Sequence, residues 1–277
     1  MCINFGKYDI PPTLEKLIDF KKEIGGSEPF YNALNFYLVR DENFRYFNTP
    51  SDVIIFGNIG VDGIHYGFLT DYGSADRLEA APIVCVSPMD FDCPTKIVAG
   101  SLREFLRVNL TDGALFYNWF QSEEDYIATK RRWAEEAANS PYRPSEAEEK
   151  VRQDIIRRLM EVIPMPEIDN PYRYVQEIGL QRQKQITFQT QDGLGVIARL
   201  EEGEKHVPFP VDKNLAPDLD RLRDFLDTAP KASKLALFRD IQLNYILRDD
   251  EPLCSIVTEE MIKMGLADEA ARIAEMG

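Results

Sequence analysis

A chain of 277 residues, 44% hydrophobic and 29% charged, is long enough to bury a full core without metals or disulfides. Its formal net charge of −15 argues against nucleic acid and anionic lipid as partners and would steer a basic protein toward it. No apolar window approaches the roughly 18 residues of a membrane-spanning helix, the four cysteines form no C-x-x-C pair, and the N-terminus shows no signal-peptide pattern, so reduced thiols and a cytoplasmic location are expected.

The first helix is predicted from Ile10-Pro11-Pro12-Thr13, with Leu14, Leu17, Ile18 and Ile24 on one stripe and Gly25-Gly26 ending it. Phe30–Val39 is aromatic-rich and short, which favours a strand or an irregular apron. Strands follow at Asp52–Phe56, His65–Asp71 and Pro82–Ser87, with a last short one at Ile97–Ala99. These strands lack strict alternation, so parts of both sheet faces should be covered. Ser101 with Glu104 has the capping-box spacing and opens a helix carrying Leu102, Phe105 and Leu106.

From Thr111 to Asn139 the pattern is helical. Asn139–Pro144 is a break, and Ser145 with Glu148 is a second capping box, starting a helix that runs to about Ile163. Pro164, Pro166 and Pro171 read as a linker. Ile186–Thr190 and Val196–Leu200 flank Gln191-Asp192-Gly193 as a predicted hairpin. Helical patterns at Asp218–Asp227, Ala232–Leu247 and Thr258–Met276, the last interrupted near Gly265, close the chain. The expected organisation is an α+β domain over residues 1–125, followed by a mainly helical accessory region over 126–277 with a hairpin near 186–200.

Few residues ask for catalysis. A nucleophile needs a base, and the chain has only two histidines. His65 falls within a strand and reads as structural, whereas His206 falls in a loop. Cys85, in an apolar strand, reads as a small hydrophobe. Gly57-Asn58-Ile59-Gly60 lacks the Lys-Ser/Thr of a phosphate loop. No basic stripe with interleaved aromatics is present for nucleic acid. Asp71, Asp90 and Asp92, with His65, are the carboxylates weighed for a metal-dependent hydrolase; ordinary turn-forming aspartates explain them better. No cofactor and no metal are expected.

The stretch from Ile10 to Leu110 resembles the SUKH superfamily of bacterial immunity proteins and fungal cell-wall regulators. The resemblance rests on Ile10-Pro11-Pro12 through Gly25-Gly26, Thr49-Pro50-Ser51-Asp52-Val53-Ile54, and Gly63-Ile64-His65-Tyr66-Gly67-Phe68-Leu69-Thr70-Asp71. It continues in Pro82–Met89 and in Ile97-Val98-Ala99 with Leu102, Glu104, Phe105 and Leu106. It covers about a third of the chain, and the minimal family domain has no counterpart to the long C-terminal region. The resemblance implies a bent antiparallel sheet flanked by helices, a protein-binding role without catalysis, and a toxin as the protein bound. Residues up to Asp125 carry 19 acidic against 10 basic side chains, which suits a basic toxin domain. The expected contact residues are Asp62, Tyr72, Asp76, Met89, Asp90 and Asp92, aromatic or Met anchors ringed by carboxylates. The alternative is a regulatory or scaffold protein that makes its contacts through the helical C-terminal half.

Overall fold

The computed structural model describes residues 4–39, 44–212, 215–244, 246–247 and 250–274. Strands β1 (Tyr37–Leu38), β2 (Val53–Asn58), β3 (His65–Leu69), β4 (Ile83–Val86) and β5 (Thr95–Ala99) lie side by side in chain order, each antiparallel to the next. With the helices around it this is an α+β fold, as expected. Every residue of β2, β3 and β4 is buried, so the missing alternation does reflect cover on both faces.

On one face Ile54, Phe56, Tyr66, Phe68, Ile83 and Cys85 meet α1 (Pro12–Glu23), α2 (Ser27–Leu34) and α3 (Leu102–Asp112). Phe105 of α3 is the hub there, its ring centroid 4.7 Å from Tyr66 and 5.4 Å from Phe56. On the other face Val53, Leu69, Val84, Val86 and Ile97 pack under Leu194. Position 67 must be glycine: a Cβ there would stand 2.4 Å from a Val53 methyl and 2.9 Å from the Ile54 carbonyl oxygen.

Local signals placed most elements well. Ser101 and Ser145 cap α3 and α5 (Glu146–Val162), the latter with a complete capping box. Other expectations need correction. Phe30–Val39 is half helix: α2 runs to Leu34 and leaves β1 two residues long, because Phe30, Ala33 and Leu34 bury one helical face. The helical pattern after Thr111 breaks into the end of α3, a tight turn at Gly113–Phe116 and α4 (Glu123–Ala138). Of the three linker prolines, Pro164 and Pro166 do lie between α5 and α6, but Pro171 opens α6 (Pro171–Gln185), where it sits at the tolerated first position and the Asn170 side chain caps the Arg173 amide at 2.9 Å. The predicted hairpin is a turn closed by a single bridge, Phe188 to Val196.

Tyr126, Ile155, Leu159, Tyr172 and Val175 all join the core of the sheet. Helices α4, α5 and α6 therefore pack with the sheet, and the boundary expected between 125 and 126 falls inside one core. A second core holds α7 (Leu219–Thr228), α8 (Lys231–Leu243), α9 (Glu251–Lys263) and α10 (Ala267–Ala274), joined by Tyr72 and Val196 from earlier in the chain. The helix expected from Thr258 begins at Glu251 and breaks at Gly265, while Met276 and Cys2 lie outside the described residues. No helix among the described residues is long and apolar enough to cross a membrane.

Candidate functional site

The antiparallel register sorts the six expected contact residues into two groups. Because His65 pairs with Val86, the β2–β3 and β4–β5 turns leave the same end of the sheet. Asp62, Met89, Asp90 and Asp92 are in those turns. Tyr72 and Asp76 follow β3 and emerge at the opposite end. One contact surface cannot contain all six.

At the first end, the turn 59–64 is held by the Ile59 amide on the Ile64 carbonyl at 3.1 Å and by the Gly60 amide on Asn58 Oδ1 at 2.9 Å. The turn 87–94 is closed by the Ser87 amide on the Pro94 carbonyl at 2.7 Å and is braced by Asn48, whose Nδ2 donates to the Pro88 carbonyl at 3.1 Å. With their backbones thus pinned, the turns present three large apolar side chains to solvent: Val61 at 57% exposure, Met89 at 63% and Phe91 at 66%. Asp62 and Asp92 are exposed beside them and Asp90 is half-buried. Neither turn contains a lysine or arginine. The two turns thus place exposed apolar side chains among carboxylates at one end of the sheet.

The second end is a junction. Asp76 is exposed, but Tyr72 is buried in the helical core, contrary to its expected role as a surface anchor. Asp71 and Tyr72 both hold left-handed backbone, φ 48° and 53°. For non-glycine residues this costs on the order of 1 kcal/mol each, and it persists only where the surroundings enforce it. Here the surroundings are two buried arginines. Arg182 of α6 grips Asp71 with both terminal nitrogens, at 2.9 and 2.6 Å, and its Nε donates to the Leu194 carbonyl at 2.7 Å. Arg239 of α8 donates to Asp52 Oδ2 at 2.6 Å and to Asp192 Oδ2 at 3.3 Å, with its guanidinium carbon 5.2 Å from the centre of the Tyr72 ring.

Two guanidiniums thus face three carboxylates. Burial, more than the neighbouring Asp71 and Asp192, pushes Asp52 up to about 6 against the pull of Arg239. Burial also opposes the charge on Arg239, yet Asp52, Asp192 and Asp71 outweigh it and hold the guanidinium protonated. The segment just before β2 completes the junction. Gln242 accepts from the Ser51 amide at 2.7 Å and donates to the Thr49 carbonyl at 3.2 Å, and Arg272 donates to the Ser51 carbonyl at 2.9 Å.

The residues weighed for metal-assisted hydrolysis do not converge: Asp71 is committed to Arg182 at one end of the sheet, while Asp90 and Asp92 lie at the other. Among the described residues no three His, Cys, Asp or Glu side chains meet as a metal ion requires. His65 has both ring nitrogens engaged, with Gly63 carbonyl at 2.7 Å and Thr49 Oγ1 at 3.1 Å. His206 does meet a serine, Nδ1 to Ser233 Oγ at 2.9 Å, but that hydroxyl also accepts the Val207 amide and Ser233 is 1% exposed. The pair staples a loop to α8. Burial lifts the Cys85 thiol to about 12, which makes it inert.

Asp52, Asp192, Arg182 and Arg239 escaped the sequence reading. The one local hint is Arg239 itself, a cation inside the apolar run Leu235-Ala236-Leu237-Phe238-Arg239-Asp240-Ile241. No protein-family model matches this chain, and no curated protein does.

Proposed function

We propose that this chain acts by binding another protein, without catalysis, as an immunity-type module that neutralises a basic toxin domain in the cytoplasm. The observation that carries the reading is the sheet end built by the two turns, where Val61, Met89 and Phe91 stand exposed among Asp62, Asp90 and Asp92. The resemblance of residues 10–110 to the SUKH superfamily supports the same class of role. The net charge of −15 supports a cationic partner.

The partner to test is the basic C-terminal module of a secreted protein encoded immediately upstream of this chain's gene. Reversing Asp62, Asp90 and Asp92 to lysine should weaken its binding at least about a hundredfold, since like charges brought together at an interface cost several kcal/mol. Asp76→Lys, at the opposite end of the sheet, should leave the affinity unchanged. Titration calorimetry reads both. Full affinity in the triple variant excludes this surface, and no binding of that module by the unaltered chain excludes the immunity role.

A further inference from the structure

At the junction a guanidinium sits between walls that come from three distant parts of the chain. Asp52 precedes β2, Asp71 follows β3 and Asp192 lies in the turn after α6, while Tyr72 supplies an aromatic face. Arg239 enters from α8. Its Nη2 stands 2.6 Å from Asp52 Oδ2 and 3.7 Å from Asp71 Oδ1, and its Nη1 stands 3.3 Å from Asp192 Oδ2. Arg182 keeps Asp71 in place from behind, and the Thr95 hydroxyl fixes the Asp192 backbone by donating to its carbonyl at 2.5 Å.

The fit leaves polar atoms over on both sides. Asp52 is 0% exposed, yet its Oδ1 accepts no hydrogen bond, and the Tyr72 hydroxyl and Arg239 Nε are equally unpartnered. Buried polar atoms are seldom left so. The helices that deliver Arg239 also have a core of their own, and their ties to residues 49–52 are polar ones, through Gln242, Arg239 and Arg272.

We infer that Asp52, Asp71, Asp192 and Tyr72 form an arginine-recognition site, occupied in cis by Arg239 when the C-terminal helices dock. The ligand class is a planar guanidinium, which alone meets carboxylates on two edges while its face lies on the Tyr72 ring. Without Arg239, the buried carboxylates of Asp52 and Asp192 lose the guanidinium between them, and Arg182 stays committed to Asp71. The helices cannot seat over that imbalance, so filling the site and docking α8 are one event. The inference stands independently of the partner proposed above.

Chemical rescue of the full-length chain tests it. Arg239→Ala is compared in sodium chloride, methylammonium chloride and guanidinium chloride at equal ionic strength, all near 50 mM and far below the molar range in which guanidinium denatures. Helical circular dichroism and the thermal midpoint are the readouts. Guanidinium should raise the midpoint of Arg239→Ala by several degrees, methylammonium should not, and the unaltered chain should show no rise. If Arg239→Ala does not fold in sodium chloride, guanidinium should restore its helical signal and methylammonium should not. Arg239→Lys, which keeps the charge and loses the fork, should melt below the unaltered chain. A response to all three salts alike, an equal rise in the unaltered chain, or an Arg239→Lys midpoint equal to the unaltered chain's would each overturn the assignment.

Discussion

Burial makes His65 and Asp52 titrate in opposite senses over the same range. Burial, against the favourable Gly63 carbonyl, drives the His65 pKa from 6.5 down to about 4. The unfolded chain therefore takes up a proton near 6.5 that the folded chain refuses until about 4, and acidification through that window favours unfolding. Asp52 is raised from 3.8 to about 6, so the folded chain keeps a proton that the unfolded chain has lost. Its contribution is present below about 4 and disappears as the pH rises to about 6. Asp240, raised by burial to about 6, adds to that second slope. The slopes partly cancel in the unaltered chain. His65→Gln removes one of them, so its stability should fall more steeply as the pH rises from 4 to 6. The gap between the two stability curves should change by about 3 kcal/mol between pH 4 and 6.5, the linkage expected of a histidine lowered from 6.5 to about 4. Urea midpoints at each pH measure it, and parallel curves would mean that His65 is not held neutral.

At the scale of elements, the sheet's second face depends on parts that look like connecting chain. Helix α6 opens on a proline that resembles a linker residue, and the turn after it sends Leu194 down onto Val53, Leu69, Val84 and Val86. Leu194 is 2% exposed, whereas Leu180 of α6 is 62% exposed. Leu194→Ala should cost about 2–5 kcal/mol, the range for a leucine cavity in a packed core. Leu180→Ala should stay within about 0.5 kcal/mol. Chemical denaturation compares the two. Hydrogen exchange should also quicken at 190–196 in Leu194→Ala, because the Gly195 amide and the Asp192 wall of the arginine site ride on that turn.

Over the whole molecule, acidity and architecture divide the work. The carboxylates at the junction meet Arg182 and Arg239, and with the bond from Arg272 to the Ser51 carbonyl they hold two cores together. The surplus negative charge lies outward and is available for steering. Association with a basic partner should therefore slow by roughly tenfold or more between about 20 and 200 mM salt, while dissociation changes far less. Stopped-flow rates at several salt concentrations measure this, and a flat association rate would assign the acidity to solubility alone.

What could be read from the sequence was whatever neighbouring residues decide among themselves. The strands expected at 52–56, 65–71 and 82–87 and found at 53–58, 65–69 and 83–86, the serine caps at 101 and 145, and the glycine stops at 25 and 265 all rest on interactions spanning a few residues. So did the exposure of Asp62, Met89 and Asp92 in their turns. Tyr72 was not legible. Between an aspartate and a glycine it has the grammar of a surface turn, and it is buried because helices that begin after residue 218 close over it. Nor could the sequence say that the turns after β2 and β4 share one end of the sheet while the turn after β3 takes the other, since strand parity and pairing decide that. Arg182 reaches Asp71 across 111 residues and Arg239 reaches Asp52 across 187. A charge pair at such separation leaves no periodicity behind: Arg239 stands out only as a cation in an apolar run, nothing in its neighbourhood names Asp52 as its partner, and only the packing of the two cores makes both necessary.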